Sequence, residues 1–294
     1  MKQLTIISGK GGTGKTTIAA SLAVLAKKKI IVDADVDAAN LFLLLSPQVK
    51  ETNRFFGGVK AVIEENGCTR CLECLPVCRF QAISQISSGQ VVIDPLSCEG
   101  CKICSYVCSP GAIKLEKNYS GNWYISNTTY GPFVHARLSP GEENSGKLVT
   151  EIRKKATQLA EKESFELILI DGPPGIGCPV IASLSGSDLV LVVTEPTPAG
   201  IHDLERVVQA ARHFKARVGC CLNKFDLNPT RSAEIDEWCT RENIPLLGRI
   251  PFTEEVTESL RQGKPYLELF PHGRASTSLI QLWEKIKREL SLYS

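Results

Sequence analysis

The sequence predicts an α/β fold: a mainly parallel sheet with helices on both faces, interrupted by a small inserted α+β unit. Three observations predict it. Short apolar runs recur with helical patterns between them, as expected of strands buried on both faces: KQLTIIS at 2–8, LILID at 167–171 and LVLVVT at 189–194. A glycine-rich turn joins the first run to a helical pattern, and a further apolar run follows, which makes a βαβ unit. Between residues 64 and 117 the alternation breaks, and eight cysteines appear as two runs of identical spacing.

In order, residues 2–8 read as a buried parallel strand. A helix from Lys15 to about Lys28 carries Ile18, Leu22 and Leu25 on one face, and Lys27-Lys28-Lys29 suits the negative end of its dipole. Ile30 to Asp33 form the second strand. Residues 41–63 hold a short helix and then strand-like pieces at 53–56 and 59–63. The cysteine module repeats itself: Cys78-Arg-Phe-Gln-Ala-Ile matches Cys108-Ser-Pro-Gly-Ala-Ile, so it is an internal duplication. Residues 119–138 alternate around turn residues as a hairpin, and a polar stretch, 139–146, precedes a helix over 147–163.

Beyond it, strands at 167–171, 189–194, 216–222 and 246–250 alternate with helices at 200–214, 231–242 and 253–262, and a last helix spans 276–292. The partition is therefore 1–56 and 145–294 for one α/β domain, 57–117 for the insert, and 118–144 for a hairpin and connector.

Apolar residues make up 43% of the 294, enough for a sizeable core. Lys plus Arg total 34 and Asp plus Glu 32, a net +2 that makes no electrostatic case for nucleic acid or an acidic membrane surface. MKQLTIISGKGG runs straight into a strand with no signal-peptide pattern, and no apolar stretch reaches the ~18 residues of a membrane span. The expectation is a cytoplasmic protein whose paired cysteines hold metal rather than disulfides.

Gly9 to Thr16 fits G-x4-G-K-[ST]. Gly11, Gly12, Thr13, Gly14 and Thr17 belong to a loop whose backbone N–H groups cradle phosphate oxygens at a helix N-terminus. Lys15 is placed to reach the β and γ phosphates, and the Thr16 hydroxyl to bind Mg²⁺. Cys68, Cys71, Cys74, Cys78 and Cys98, Cys101, Cys104, Cys108 each read C-x2-C-x2-C-x3-C, the spacing that ligates [4Fe–4S] clusters. Zinc ribbons use two C-x2-C pairs, so the doubled four-cysteine run disfavours zinc.

Lys10, directly after the first glycine, is not part of the plain motif. With it the loop resembles that of the MinD/Mrp family of ATPases, relatives of the nitrogenase iron protein, and the chain as a whole resembles such a P-loop ATPase with an inserted two-cluster bacterial-type ferredoxin domain. The resemblance covers about 1–56 and 145–292 for the ATPase. It implies that Lys10 crosses a dimer interface to the partner's nucleotide. Asp33-Ala-Asp35-Val-Asp37-Ala-Ala-Asn40 resembles the first switch, in which Asp35 handles the attacking water; Asp37 stands where MinD has glycine. Asp171, ending an apolar strand, is similar to the Mg²⁺-holding aspartate, and Gly175 to the second-switch glycine whose N–H senses the γ-phosphate. The implied catalytic set is Lys10, Lys15, Asp35 and Asp171, with Thr16 and Asp171 on Mg²⁺.

Asn223 resembles the adenine-reading asparagine, with Lys224 beside it, and Ile250-Pro251-Phe252 the strand end flanking the base. Asn223-Lys224-Phe225-Asp226 also spells the guanine-selective N-K-x-D, so GTP stays open on pattern alone. The ferredoxin resemblance implies crossed ligands: Cys68, Cys71, Cys74 and Cys108 for one cluster, Cys98, Cys101, Cys104 and Cys78 for the other. Arg79 replaces the proline usual after Cys78.

Cys178, seven residues after Asp171, lies at the offset of the nitrogenase iron protein's bridging ligand; no upstream second cysteine accompanies it between 118 and 171. Cys220, Cys221 and Cys239 read as core residues. The stripe Leu279, Leu282, Trp283, Ile286, Leu290 reads as a core-packing face, not the membrane helix of MinD, because its polar face mixes both signs of charge.

Together these features imply an ATP-hydrolysing dimeric switch carrying two [4Fe–4S] clusters, which couples nucleotide state to electron transfer or metal-cofactor handling. Its partners would be a second copy or a paralogous ATPase and a redox or cofactor acceptor. The alternatives are an iron–sulfur assembly carrier and a MinD-like positioning ATPase with redox-sensing clusters.

Overall fold

The computed structural model describes residues 1–292. The chain forms two compact units. The first comprises Met1–Asn53, Trp123–Arg137 and the chain from Ser145 on; the second comprises Arg54–Asn122 and Leu138–Asn144.

The first unit starts with β1 (Lys2–Ser8), α1 (Lys15–Leu25), β2 (Lys29–Asp33) and α2 (Leu41–Leu45). The long strand β3 (Gln48–Ile63) leads into the second unit, which holds β4 (Ile83–Gln85), β5 (Val91–Ile93) and α3 (Ile103–Val107). The long strand β6 (Ile113–Thr128) leads back, and β7 (Gly131–Leu138) and α4 (Ser145–Lys162) follow. The rest alternates: β8 (Leu167–Pro174), α5 (Cys178–Leu184), β9 (Leu189–Thr194), α6 (Gly200–His213), β10 (Arg217–Asn223), α7 (Pro229–Arg241), β11 (Leu246–Ile250), α8 (Glu255–Gln262), α9 (Tyr266–Leu269) and α10 (Ser276–Leu290).

The sheet order is β11-β10-β9-β1-β8-β2-β7-β6-β3. From β11 to β7 every neighbouring pair is parallel. Alternate residues of one strand go to opposite faces, and both faces are covered. Leu189, Leu191 and Val193 of β9 pack with α1 and α10, while Val190 and Val192 pack with α6 and α7. Each such side chain contributes roughly 1.5–3 kcal/mol on burial. On α10, Leu279, Leu282, Trp283, Ile286 and Leu290 are buried in the first cluster, as the stripe predicts. No helix among the described residues is long and apolar enough to cross a membrane.

Several elements differ from the sequence reading. The first helix stops at Leu25, and Lys28 takes a φ of 43°. The three lysines therefore do not cap it: Lys28 pairs with Glu166 at 2.8 Å, and Lys29 is buried on β2, donating to the Tyr130 carbonyl, where burial lowers its pKa to about 8. The two strand pieces at 53–56 and 59–63 are one strand that begins at Gln48, and the hairpin's first arm reaches back to Ile113. Strand β8 continues through the prolines to Pro174, and a register shift between Ile6 and Ser8 of β1 accommodates them. Helices α5 and α9, seven and four residues long, carry too little periodicity to read from sequence.

In the second unit, β4 and β5 form an antiparallel pair, Ile83 opposite Ile93. Its buried cluster is small: Ala61, Ala82, Ile83, Val91, Cys98, Cys104 and Ile113. Gly100, between two cysteines, has φ +63° and approaches Val59 so closely that a Cβ there would stand 1.9 Å from the Val59 carbonyl oxygen. Only glycine fits that turn.

Candidate functional site

The first site lies at the carboxyl ends of the parallel strands, where open α/β sheets collect their functional groups. Strand β1 delivers the glycine-rich loop, β2 delivers Asp33, β8 passes through Asp171, β9 delivers Glu195, and β10 delivers Asn223. A cleft of about 1730 Å³, open mouth included, is lined by Gly11, Gly12, Gly14, Lys15, Thr16 and Thr17, by Asp35 and Asn40, by Pro174, Asn223 and Lys224, and by Ile250–Phe252. It ends in an apolar recess with Leu44, Val256, Ala275 and Leu279. Lys10 and Thr13 line a separate small pocket with Gly9 and Asp203, and Gly175 and Asp171 do not line the cleft.

The loop's shape depends on its glycines. At Gly14, φ is +92° and a Cβ would stand 2.3 Å from Asn223 Nδ2; at Gly9 a Cβ would meet the Asp203 Cβ at 2.5 Å. Asn223 Nδ2 donates to the Thr13 carbonyl at 2.8 Å, and Asn223 Oδ1 accepts the Lys224 N–H at 3.0 Å. Thus the expected base reader also braces the phosphate loop. Its amide retains one N–H and one lone pair.

Lys10 is held within its own chain. Its Nζ lies 2.8 Å from Glu195 Oε1 and donates to Thr197 Oγ1 at 3.0 Å. Lys224 Nζ lies 2.8 Å from Glu195 Oε2 and donates to the Gly12 carbonyl at 3.1 Å. Burial works against the Glu195 charge, but the two ammonium groups outweigh it and hold the carboxyl below the usual range. Sequence reasoning passed over Glu195; its position just after a parallel strand was the available signal.

Asp35 and Asp171 both feel the charge of Lys15, and Asp33 lies close to both of these carboxylates. Asp33 is fully buried and accepts backbone N–H groups from Asp35 and Leu41, each at 3.2 Å, so it shapes the segment that presents Asp35. Burial, then the nearby Asp171 and Asp35, push the Asp33 pKa well up. Asp35 is raised by burial, against the opposing pull of Lys15. Asp171 is raised to about 7 by burial, with Lys15 and Thr16 lowering it and Asp35 raising it. Both Asp171 oxygens are buried without a well-formed hydrogen bond, although the Thr16 hydroxyl lies close enough to favour the charged form, and Thr13 Oγ1 is buried without a partner. Orphaned buried carboxylate oxygens beside a threonine hydroxyl and a lysine fit an oxygen-seeking Mg²⁺ and its phosphates. Gly175, at φ +86°, donates its N–H to the Ser8 carbonyl at 2.8 Å, so the group expected to sense a γ-phosphate is engaged in the protein here.

The second site belongs to the cysteine-bearing unit. One cavity of about 350 Å³, mouth included, is lined by Cys68, Cys71, Cys74 and Cys108 among Ile63, Leu72, Val91 and Ile113. Another of about 350 Å³ is lined by Cys78, Cys98, Cys101 and Cys104 among Ala61, Phe80, Ala82 and Ile93. Each draws three cysteines from one run and the fourth from the other. The thiols also feel one another in these sets: burial, then Cys108, Cys68 and Cys71, raise the Cys74 pKa, and burial, then Cys98 and Cys101, raise that of Cys104.

Among the described residues no three His, Cys, Asp or Glu side chains close on a single metal ion. Four thiolates around a cubane cluster stand farther apart than four around one ion, because the inorganic core lies between them. Four soft thiol donors on apolar walls, in a unit with a small core of its own, fit a [4Fe–4S] group.

Of the remaining cysteines, Cys220, Cys221 and Cys239 are buried in the core, as expected, and Cys178 is exposed at the start of α5.

Comparison with known proteins agrees with the fold and the loop. The model of the CobQ/CobB/MinD/ParA nucleotide binding domain matches residues 4–266. An uncharacterised protein of Methanocaldococcus jannaschii is 34% identical over 291 residues, covering 97% of this chain and 96% of the relative. The septum site-determining protein MinD of Neisseria meningitidis is 25% identical over 283 residues, covering 90% and 84%. Among solved structures, MinD complexed with Mg-ADP from Pyrococcus horikoshii matches with a TM-score of 0.62 at 20% identity, covering 98% of this chain and 96% of that one, which shows a shared fold.

Proposed function

Because this chain belongs to the CobQ/CobB/MinD/ParA nucleotide-binding domain family, we propose that it is an ATP-hydrolysing dimeric switch that carries two [4Fe–4S] clusters and couples nucleotide state to electron transfer or metal-cofactor handling. The observation that carries the reading is the pair of four-cysteine cavities in a chain that also has a MinD/ParA-type phosphate loop.

In the cleft, the loop's N–H groups and Lys15 bind the triphosphate, and Asn223 faces the base. Thr16 and Asp171 would hold Mg²⁺, which offsets the charge building on the phosphates. Asp35 orients the attacking water and takes its proton; its raised pKa brings it closer to neutral pH, as a general base needs. Asp33 keeps that carboxylate in place through the Asp35 and Leu41 N–H groups. Lys10 neutralises phosphate charge on the partner's nucleotide after leaving Glu195. The Mg-ADP held by the Pyrococcus MinD supports the nucleotide assignment.

In the other unit, Cys68, Cys71, Cys74 and Cys108 would hold one cluster and Cys78, Cys98, Cys101 and Cys104 the other; such groups supply one-electron transfer when bound. The chain's part is to shield them with apolar walls and to leave Cys71 and Cys101 exposed at the surface.

The test is anaerobic purification followed by iron analysis and EPR of the reduced protein, with and without MgATP. Eight irons per chain and a cluster signal that changes with MgATP are expected. Clusters indifferent to MgATP, alone and with candidate acceptors, overturn the coupling. Iron that leaves for an apo-protein supports the assembly carrier instead. The similarity to septum site-determining proteins favours a second reading, a positioning ATPase with redox-sensing clusters, which ATP-dependent liposome binding would support.

A further inference from the structure

The tetrad Asn223-Lys224-Phe225-Asp226 spells a guanine-reading pattern, yet the tertiary structure has engaged its last member elsewhere. Asp226 Oδ1 accepts the Phe252 N–H at 2.7 Å, and Oδ2 takes Arg274 Nη2 at 2.6 Å. The segment bearing Arg274 is pinned in turn. Glu255 Oε2 accepts the Arg274 N–H at 3.1 Å and the Tyr266 hydroxyl at 2.5 Å, and Tyr266 Oη accepts the Ala275 N–H at 3.1 Å. Phe252 and Ala275 line the nucleotide cleft, whereas Asp226 and Arg274 do not.

Guanine and adenine differ in what their edges offer. Guanine presents N1–H and N2–H₂ donors, which a facing carboxylate reads; adenine presents N6–H₂ beside ring-nitrogen acceptors, which an Asn amide reads with one acceptor and one donor. Asn223 has one lone pair and one N–H unspent after bracing Thr13 and Lys224, the complement of adenine. Asp226 has both oxygens engaged by protein donors and does not line the cleft.

The geometry points to Arg274 and Asp226 as the specificity-determining pair of the base wall: Arg274 holds Asp226 off the cleft, and the site reads adenine although the sequence spells the guanine tetrad. Arg274 acts through Asp226 and is a positioning residue. The inference rests on the ATPase reading above and names how its substrate is chosen.

Calorimetry with MgADP and MgGDP on the anaerobically purified full chain tests it. Wild type is expected to prefer ADP by about tenfold or more, the scale of one good bidentate base contact. Arg274→Ala should tighten GDP by about tenfold while moving ADP by less than about threefold. The gain should vanish in Arg274→Ala/Asp226→Asn, because Asp226 Oδ2, freed from Arg274 while the Phe252 N–H keeps Oδ1, is what reads guanine. The Arg274 side chain is 61% exposed, so its removal spares the core; Arg274→Lys, which keeps a charged donor for Asp226, is the conservative control and should keep the wild-type ratio.

Equal affinity of wild type for the two nucleotides, an unchanged ratio in Arg274→Ala, or a ratio in Arg274→Lys that shifts as far as in Arg274→Ala overturns this inference alone. A wild type that binds neither nucleotide overturns the ATPase reading, and this inference with it.

Discussion

Lys10 Nζ lies 2.8 Å from Glu195 Oε1 inside one chain, so the lysine that the MinD-like loop would send across a dimer is parked on its own subunit's carboxylate. Leaving that carboxylate costs the free chain an ion pair, partly compensated because Lys224 remains on the other oxygen. Glu195→Gln should therefore favour the ATP-bound dimer, lowering its dissociation constant by about threefold, the scale of a ~0.7 kcal/mol partly exposed pair. Sedimentation in MgATP reads this directly, and an unchanged or weaker dimer would remove the parking role.

Asp35 lines the cleft and Asp33 holds its backbone. Asp35→Asn keeps the shape and removes the base. ATP turnover should fall by roughly 10²–10⁴-fold with MgATP affinity within a few-fold. Turnover near the wild-type rate would take the water-handling role away from Asp35.

The crossed cysteine sets make an unusual prediction for double variants. Cys68→Ser and Cys108→Ser strike the same cavity, whereas Cys68→Ser and Cys78→Ser strike different ones. With each cluster holding four irons, the first pair should leave about half of the iron and the second pair very little. Uncrossed ligation, with each run serving one cluster, predicts the reverse order, so iron analysis of the two double variants decides between them.

His135 stands between Tyr124 and Phe133 with ring centroids 5.0 and 4.5 Å away, its Nε2 2.9 Å from Ser126 Oγ. Burial lowers its pKa to about 4. A base with a depressed folded pKa contributes stability that is present above its unfolded pKa, about 6.5, and lost as pH falls toward the folded value. Between pH 6.5 and 4 the wild type should lose stability that His135→Phe does not lose. Parallel thermal melts across that window check it; identical pH profiles would show that His135 does not drive the loss.

Much of the architecture was legible because long apolar runs and glycine punctuation are local signals. The strands at 2–8, 189–194 and 246–250 stand where their burial on both faces predicts. What failed was also local in cause. Lys27 to Lys29 looked like a helix cap, but the chain is already extended at Ala26, so the helix ends before them and Lys29 is buried on β2. The strand read as ending at Asp171 runs on through the prolines at 173 and 174, beside a register shift in β1.

By itself the sequence determined the phosphate loop, the doubled cysteine spacing and the alternation of strand and helix, since each depends on residues close together in the chain. Only the tertiary structure decided which groups are spent and which are free. Glu195 meets Lys10 and Lys224 across gaps of 185 and 29 residues, and Arg274 reaches Asp226 across 48. It also brought Cys108 to the cavity of the first run and Cys78 to that of the second. Hydrogen bonds and charge pairing are set by distance in space, and no spacing along the chain encodes them.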